Sequence, residues 1–144
     1  MSFGIDVNLL LYATDRTSPL HAKATGFVQD IVAGSEVFCI AWVTAMSYLR
    51  IATHPSIFAK PLSPAEARGN LTALLNVPHC RTLAEEEGFW EVYGQVTSGL
   101  SVRGNLVPDA HLAAVLRQHG VTRLYTHDKD FRKFDFLKVI DPLL

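Results

Sequence analysis

Asp6, Asp109 and Asp128 are the side chains of this sequence best suited to gather a divalent cation. Carboxylates are hard oxygen donors, the ligand type that suits Mg²⁺ or Mn²⁺ rather than Zn²⁺. Crowding them without compensation is costly, since two unit charges about 4 Å apart repel by roughly 4 kcal/mol at an effective dielectric near 20. A divalent cation removes that repulsion, and once bound it can activate a water for in-line attack on a phosphodiester. Each aspartate also has a structural explanation to be set beside the chemical one. Asp109 at a helix start is favoured by the macrodipole alone. Asp128 and Asp130, in His127-Asp128-Lys129-Asp130-Phe131, have the composition of a turn before a short helix. Asp6 is harder to explain that way, because it breaks an apolar run two residues past Gly4.

The elements that must position these acids follow from periodicity and punctuation. Phe3 to Ile5 reads as a strand ending at Asp6, followed by a buried helical turn over Leu9, Leu10 and Leu11. Ser18-Pro19 has the form of a cap residue with proline at the first helical position, opening a helix through Ile31 that stops at Gly34. Val37 to Ala41 is a strand, and Thr44 to Thr53 a helix that ends near His54 because Pro55 disfavours helical geometry in its neighbour. Ser63-Pro64-Ala65-Glu66 is a capping box that predicts a helix to about Leu75. Arg81 to Leu83 reads as a strand, Glu85 to Val96 as a helix, Gly99 to Gly104 as a loop and Pro108 to His119 as a helix closed by Gly120. Arg123 to Thr126 and Lys138 to Ile140 complete about five strands. Strands alternating with helices build a mostly parallel sheet, and such sheets collect ligands beyond the carboxyl ends of their strands. Asp6 and Asp128 fall at that edge, and Asp109 opens the helix that faces it.

Size and charge narrow the field. The chain has 144 residues, 49% hydrophobic and 19% charged, which predicts one packed α/β domain over 1–144. A net charge of -1 argues against a broad basic surface for nucleic acid, although a cation site would still attract phosphate locally. The start Met-Ser-Phe-Gly-Ile-Asp lacks a basic n-region, and no apolar run is long enough to span a bilayer, so a soluble, cytoplasmic product with no membrane partner is expected. Cys39 and Cys80 lack metal-ligand spacing, and the six histidines form no His-Glu-x-x-His pattern, which sets a zinc enzyme aside. No Asp-x-Asp-x-Thr run, phosphate-binding Gly-rich loop or dinucleotide turn supports a phosphatase, receiver or nucleotide-binding reading.

Three segments carry a resemblance to a known family. Gly4-Ile5-Asp6-Val7-Asn8-Leu9-Leu10-Leu11-Tyr12-Ala13 resembles the opening acid motif of the PIN-domain ribonucleases, in particular the VapC-type toxins. Asn105-Leu106-Val107-Pro108-Asp109-Ala110-His111 resembles their third acid motif, and Thr126-His127-Asp128-Lys129-Asp130-Phe131 their closing motif. With Leu49-Arg50-Ile51-Ala52-Thr53-His54-Pro55, the match spans nearly the whole chain in the family's order. The resemblance implies a three-layer α/β/α fold, a Mg²⁺- or Mn²⁺-dependent endoribonuclease with Asp6, Asp109 and Asp128 as its metal-binding and catalytic acids, and a small cognate antitoxin as partner. It also implies a homodimer. Asn8, Ser47, Thr126 and Asp130 fall to supporting the ligands or positioning substrate, with Arg50 and Arg103, and further Arg16 and Lys129, as candidates for the RNA backbone. One position departs from the pattern. The family usually carries a glutamate three residues before that helix's arginine, where this sequence has Ser47. A hydroxyl there carries no charge, which weakens a second metal. The competing reading is therefore a catalytically weak PIN-like module that binds RNA or protein without cutting. Trp42 and Phe58, flanking the Ser47 helix, are the residues assigned to a partner groove, and Phe89, Trp90 and Tyr93 to core or dimer contact.

Overall fold

The computed structural model describes residues 1–144. The chain order is β1 (Ser2–Ile5), α1 (Val7–Thr14), α2 (His21–Ala33), β2 (Val37–Ala41), α3 (Trp42–Ala52), α4 (Pro64–Leu75), β3 (Cys80–Leu83), α5 (Phe89–Val96), α6 (Leu106–Gln118), β4 (Arg123–Tyr125) and β5 (Lys138–Ile140), with a 3₁₀ turn over Lys129–Lys133 before the last strand. The five strands form one sheet in the order β3-β2-β1-β4-β5, and every neighbouring pair is parallel.

Alternation along the strands creates the two faces. Phe3, Ile5, Phe38 and Ile40 point into the layer of α1 to α4, whereas Cys39, Ala41 and Leu124 pack under α6 and the 3₁₀ turn. This is the α/β/α arrangement that the resemblance implies, on the parallel sheet that the alternating pattern predicts. Gly4 explains how closely α6 approaches: a Cβ there would stand 2.8 Å from a methyl of Leu116. Gly120, with φ +67°, ends α6 as foreseen, and Val121 N–H reaches back to the carbonyl of Leu116 at 2.9 Å. The capping box at Ser63 and Glu66 is present in both directions.

Several boundaries differ from the sequence expectation. Ser18-Pro19 is a turn that precedes α2, not its cap: the Ser18 hydroxyl accepts from Leu20 N–H, and His21 Nδ1 bonds the carbonyl of Tyr12 and ties the helix entry to α1. Helix α3 begins at Trp42, directly after β2, with Ala41 serving both elements. Residues 85–88 are not helical. Gln118 of α6 accepts the N–H of Glu86 and donates to the carbonyls of Glu86 and Glu87, and Gly88 at φ +83° breaks the path, so α5 starts at Phe89. Helix α6 starts at Leu106, two residues before Pro108. Proline is tolerated at the third helical position because that N–H has no partner within the helix anyway.

Candidate metal centre

The strand order reverses direction between β1 and β4, and the crevice beyond their carboxyl ends is where an open α/β sheet receives ligands. Asp6 leaves β1 there and Thr126 leaves β4 beside it. The ladder runs one residue past each strand, with Asp6 N–H on the carbonyl of Tyr125 and Thr126 N–H on that of Ile140. Asp6 caps α1, one carboxylate oxygen accepting Val7 N–H at 2.7 Å and the other the hydroxyl of Thr126 at 2.7 Å. Thr126 is 1% exposed, and its hydroxyl also accepts Asp128 N–H at 2.9 Å and the Asn8 amide at 3.4 Å. One buried hydroxyl thus ties three of the expected residues together.

Asp109, Asp128 and Asp130 each bring a carboxylate oxygen within 4.8 Å of the others. Asp130 therefore stands among the closest acids, where the sequence reading gave it only a supporting place. The cap of the 3₁₀ turn accounts for this: Asp130 N–H donates to the Asp128 carboxylate at 2.9 Å, which holds the two residues close together. Asp6 lies beside this triplet, held back by Thr126, yet within its electrostatic reach. Burial pushes the Asp109 carboxyl up to about 7, reinforced by the negative charges of Asp128, Asp6 and Asp130. Asp6, 8% exposed, is pushed up to about 6 chiefly by burial, against the pull of the Thr126 and Val7 hydrogen bonds and with a further rise from Asp128. Acids that raise one another in this way are a site short of positive charge, and an oxygen-only donor set of this kind fits Mg²⁺ or Mn²⁺.

The remaining candidates divide. Ser47 is half-buried on α3 and adds no charge. Arg50 is exposed in the last turn of α3, about 12 Å of helical rise from the strand edge where that helix starts. Arg103 and Lys129 are exposed next to α6 and the 3₁₀ turn, with no ion pair. Arg16 lines a cavity among α1, α2 and α4, and so faces a different surface from the acids. Phe58 is 7% exposed and lines that same cavity, whereas Trp42 does not, so the two do not form one groove. The loop after α3 turns Phe58 inward, anchored by Phe58 N–H on the carbonyl of His54. Of the α5 aromatics, Phe89 and Tyr93 pack on the α6 side of the core, and Trp90 stacks on Tyr93 at 76% exposure.

Two pairings escaped the sequence reading. His111 bonds Glu85 at 2.6 Å and meets the Phe89 ring edge-on. His127 bonds Asp141 at 2.7 Å. The signal for Asp141 was available: it follows β5 directly, the same strand-end position that singled out Asp6.

Removing the Thr126 hydroxyl should be felt in the fold itself. In Thr126→Val the shape is kept, but Asp128 N–H loses its acceptor and buried Asp6 a donor, at a cost of about 1–3 kcal/mol. Urea unfolding of metal-free protein should show a midpoint lowered accordingly, and an unchanged midpoint would deny the hydroxyl its joining role.

A parallel α/β sheet with an acid cluster at its switch point has the build of an enzyme whose site can hold a cation, and the comparisons give the family. The PIN domain family model matches residues 5–137. Ribonuclease VapC48 of Mycobacterium tuberculosis is 44% identical over 142 residues, covering 99% of this chain and 98% of that protein. VapC ribonuclease Mb2897 of Mycobacterium bovis is 30% identical over 139 residues, covering 96% and 94%. Among solved structures, VapBC2 from Rickettsia felis bound to a DNA fragment from its promoter aligns with TM-score 0.70 at 13% identity, covering 97% of this chain and 98% of that one. VapC20 of Mycobacterium tuberculosis, a sarcin-ricin loop cleaving toxin, aligns with TM-score 0.66 at 15% identity, covering 90% and 92%. The chain belongs to the PIN-domain family.

Proposed function

We propose that this chain is the ribonuclease toxin of a toxin–antitoxin pair, a Mg²⁺- or Mn²⁺-dependent endoribonuclease acting in the cytoplasm. The observation that carries the reading is the mutual crowding of Asp109, Asp128 and Asp130 with Asp6 alongside, which pushes Asp109 up to about 7. Asp6, Asp109 and Asp128 are the acids we assign to the ion, with Asp130 close enough to share that work. A divalent cation bound there supplies Lewis acidity and an activated water for attack on the phosphodiester. Thr126 and Asn8 fix the orientation of Asp6 and of the Asp128 turn, and Arg103 and Lys129 are the exposed cations we assign to the RNA backbone. Ser47 does not favour a non-cleaving module, because four carboxylates converge without an acid on α3.

The test uses purified chain, freed of antitoxin, with total RNA and Mn²⁺. Cleavage that disappears in Asp6→Ala and in Asp109→Ala supports the assignment; cleavage that persists in both marks a contaminant.

The antitoxin has a candidate seat. A cavity of about 860 Å³ opens among α1, α2 and α4 and is walled by Leu10, Val28, Leu71 and Leu74, with Arg16 and Lys60 offset by Asp15 and Glu66 at its lining. The Tyr48 hydroxyl, bonded to Thr14 and Asn70, braces its wall. An apolar helix or strand fits this lining. Leu74→Glu, at a half-buried position, should weaken antitoxin binding at least about 10-fold while leaving RNA cleavage by the free toxin intact, as read by titration calorimetry and a cleavage assay. A second copy of the chain is the partner we assign to Trp42 and Met46, exposed four residues apart on α3.

A further inference from the structure

The turn that carries Asp128 and Asp130 holds two negative charges against Asp109, so something must keep it from swinging outward. On the Asp6 side the Thr126 hydroxyl does so, by accepting Asp128 N–H. A second tie runs through His127, the residue just before Asp128. Its Nδ1 lies 2.7 Å from a carboxylate oxygen of Asp141, which makes Nδ1 the protonated nitrogen. The ring meets Tyr12 of α1 edge-on, with centroids 5.8 Å apart. The backbone N–H of His127 points to the Asn8 side-chain oxygen at 3.5 Å.

Asp141 is itself well anchored. Its side chain is 9% exposed, and its second oxygen accepts Leu143 N–H at 2.9 Å. Leu143 is buried in the core on the α1 face, and its carbonyl accepts from Lys23 of α2. The chain's last residues thus form a fixed post to which the acid-bearing turn is tied.

We propose that His127 and Asp141 are a positioning pair that holds the Asp128–Asp130 turn in ion-binding geometry, so that the C-terminal tail sets the affinity of the site for a divalent cation. The inference rests on the reading of Asp128 as an ion ligand. Partners that orient ligands in this indirect way typically change metal affinity 10- to 100-fold when removed, because the site must then be reorganised at the moment of binding.

The test is Mn²⁺ titration calorimetry on the full chain, for wild type, His127→Ala, Asp141→Ala, the double variant and His127→Asn. The expected result is an Mn²⁺ affinity reduced about 10-fold in each alanine variant, and no further reduction in the double variant, since the two side chains act as one unit. His127→Asn should restore affinity to within about 3-fold, because the asparagine amide presents a donor close to the position of Nδ1. His127→Ala leaves the Asp141–Leu143 bond in place, so it carries the test even if Asp141→Ala loosens the tail. Wild-type binding with unaltered affinity in His127→Ala overturns the pair alone, and so do losses that add in the double variant. Wild type that binds no Mn²⁺ overturns the ribonuclease reading, and the pair's role with it.

Discussion

Asparagine in place of Asp109 should lower RNA cleavage by about 10³-fold while making the metal-free protein more stable at neutral pH. The two effects have one cause. Asp109 stands half-buried in the field of Asp128, Asp6 and Asp130, and only a cation makes its charged form comfortable. Loss of one ligand removes several kcal/mol of transition-state stabilisation, and each 1.36 kcal/mol is a factor of ten in rate. The amide keeps the size of the side chain and takes away the charge, so repulsion in the metal-free site is relieved. Single-turnover cleavage with saturating Mn²⁺ measures the first effect, and thermal unfolding in chelator at pH 8 the second. A variant that cuts RNA at the wild-type rate would remove Asp109 from the site.

Metal-free wild type should lose stability as pH rises from about 4 to above 7, and saturating Mn²⁺ should recover part of that loss. The sign follows from proton counting. Folding raises Asp109 from an ordinary 3.8 to about 7, and Asp6 from 3.8 to about 6. Between those values the folded chain binds more protons than the unfolded one, so raising the pH favours unfolding. The penalty is absent below about 4 and complete above about 7. A cation at a hundredfold excess over its Kd adds about 2.7 kcal/mol, roughly 6–12 °C in Tm for a chain of this size. Asp109→Asn should flatten most of the metal-free slope. A melting temperature that stays level from pH 5 to pH 8 in chelator would contradict the crowding on which the site rests.

Local patterns made much of the architecture readable. A run of apolar residues bounded by Glu36 and the Trp42 helix marks β2, the Ser63–Glu66 box marks the start of α4, and Gly120 marks the end of α6. These features are settled within a few residues of themselves, by capping hydrogen bonds and by the freedom of glycine at positive φ. Where the reading slipped, the deciding partner was distant. Glu85 to Gly88 has the composition of a helix start, yet Gln118 of α6 takes up its backbone groups. Phe58 sits in a stretch with no periodicity, and its burial depends on the space left among the helices of the α1 layer.

The acids follow the same division. Asp6, Asp109 and Asp128 could be picked out from sequence because each stands at the end of a strand or the start of a helix, and Asp6 because it interrupts an apolar run. Which carboxylates meet was a matter for the tertiary structure. Pairing β1 with β4 sets Asp6 beside Thr126, the cap of the 3₁₀ turn holds Asp130 in the closest group, and the tail beyond β5 brings Asp141 to His127. Backbone hydrogen bonding accepts any strand as neighbour, so the choice of partner strand is made by how the two faces of the sheet are covered. No local segment carries that information, and the convergence of charge at the crevice between β1 and β4 exists only once the sheet is assembled.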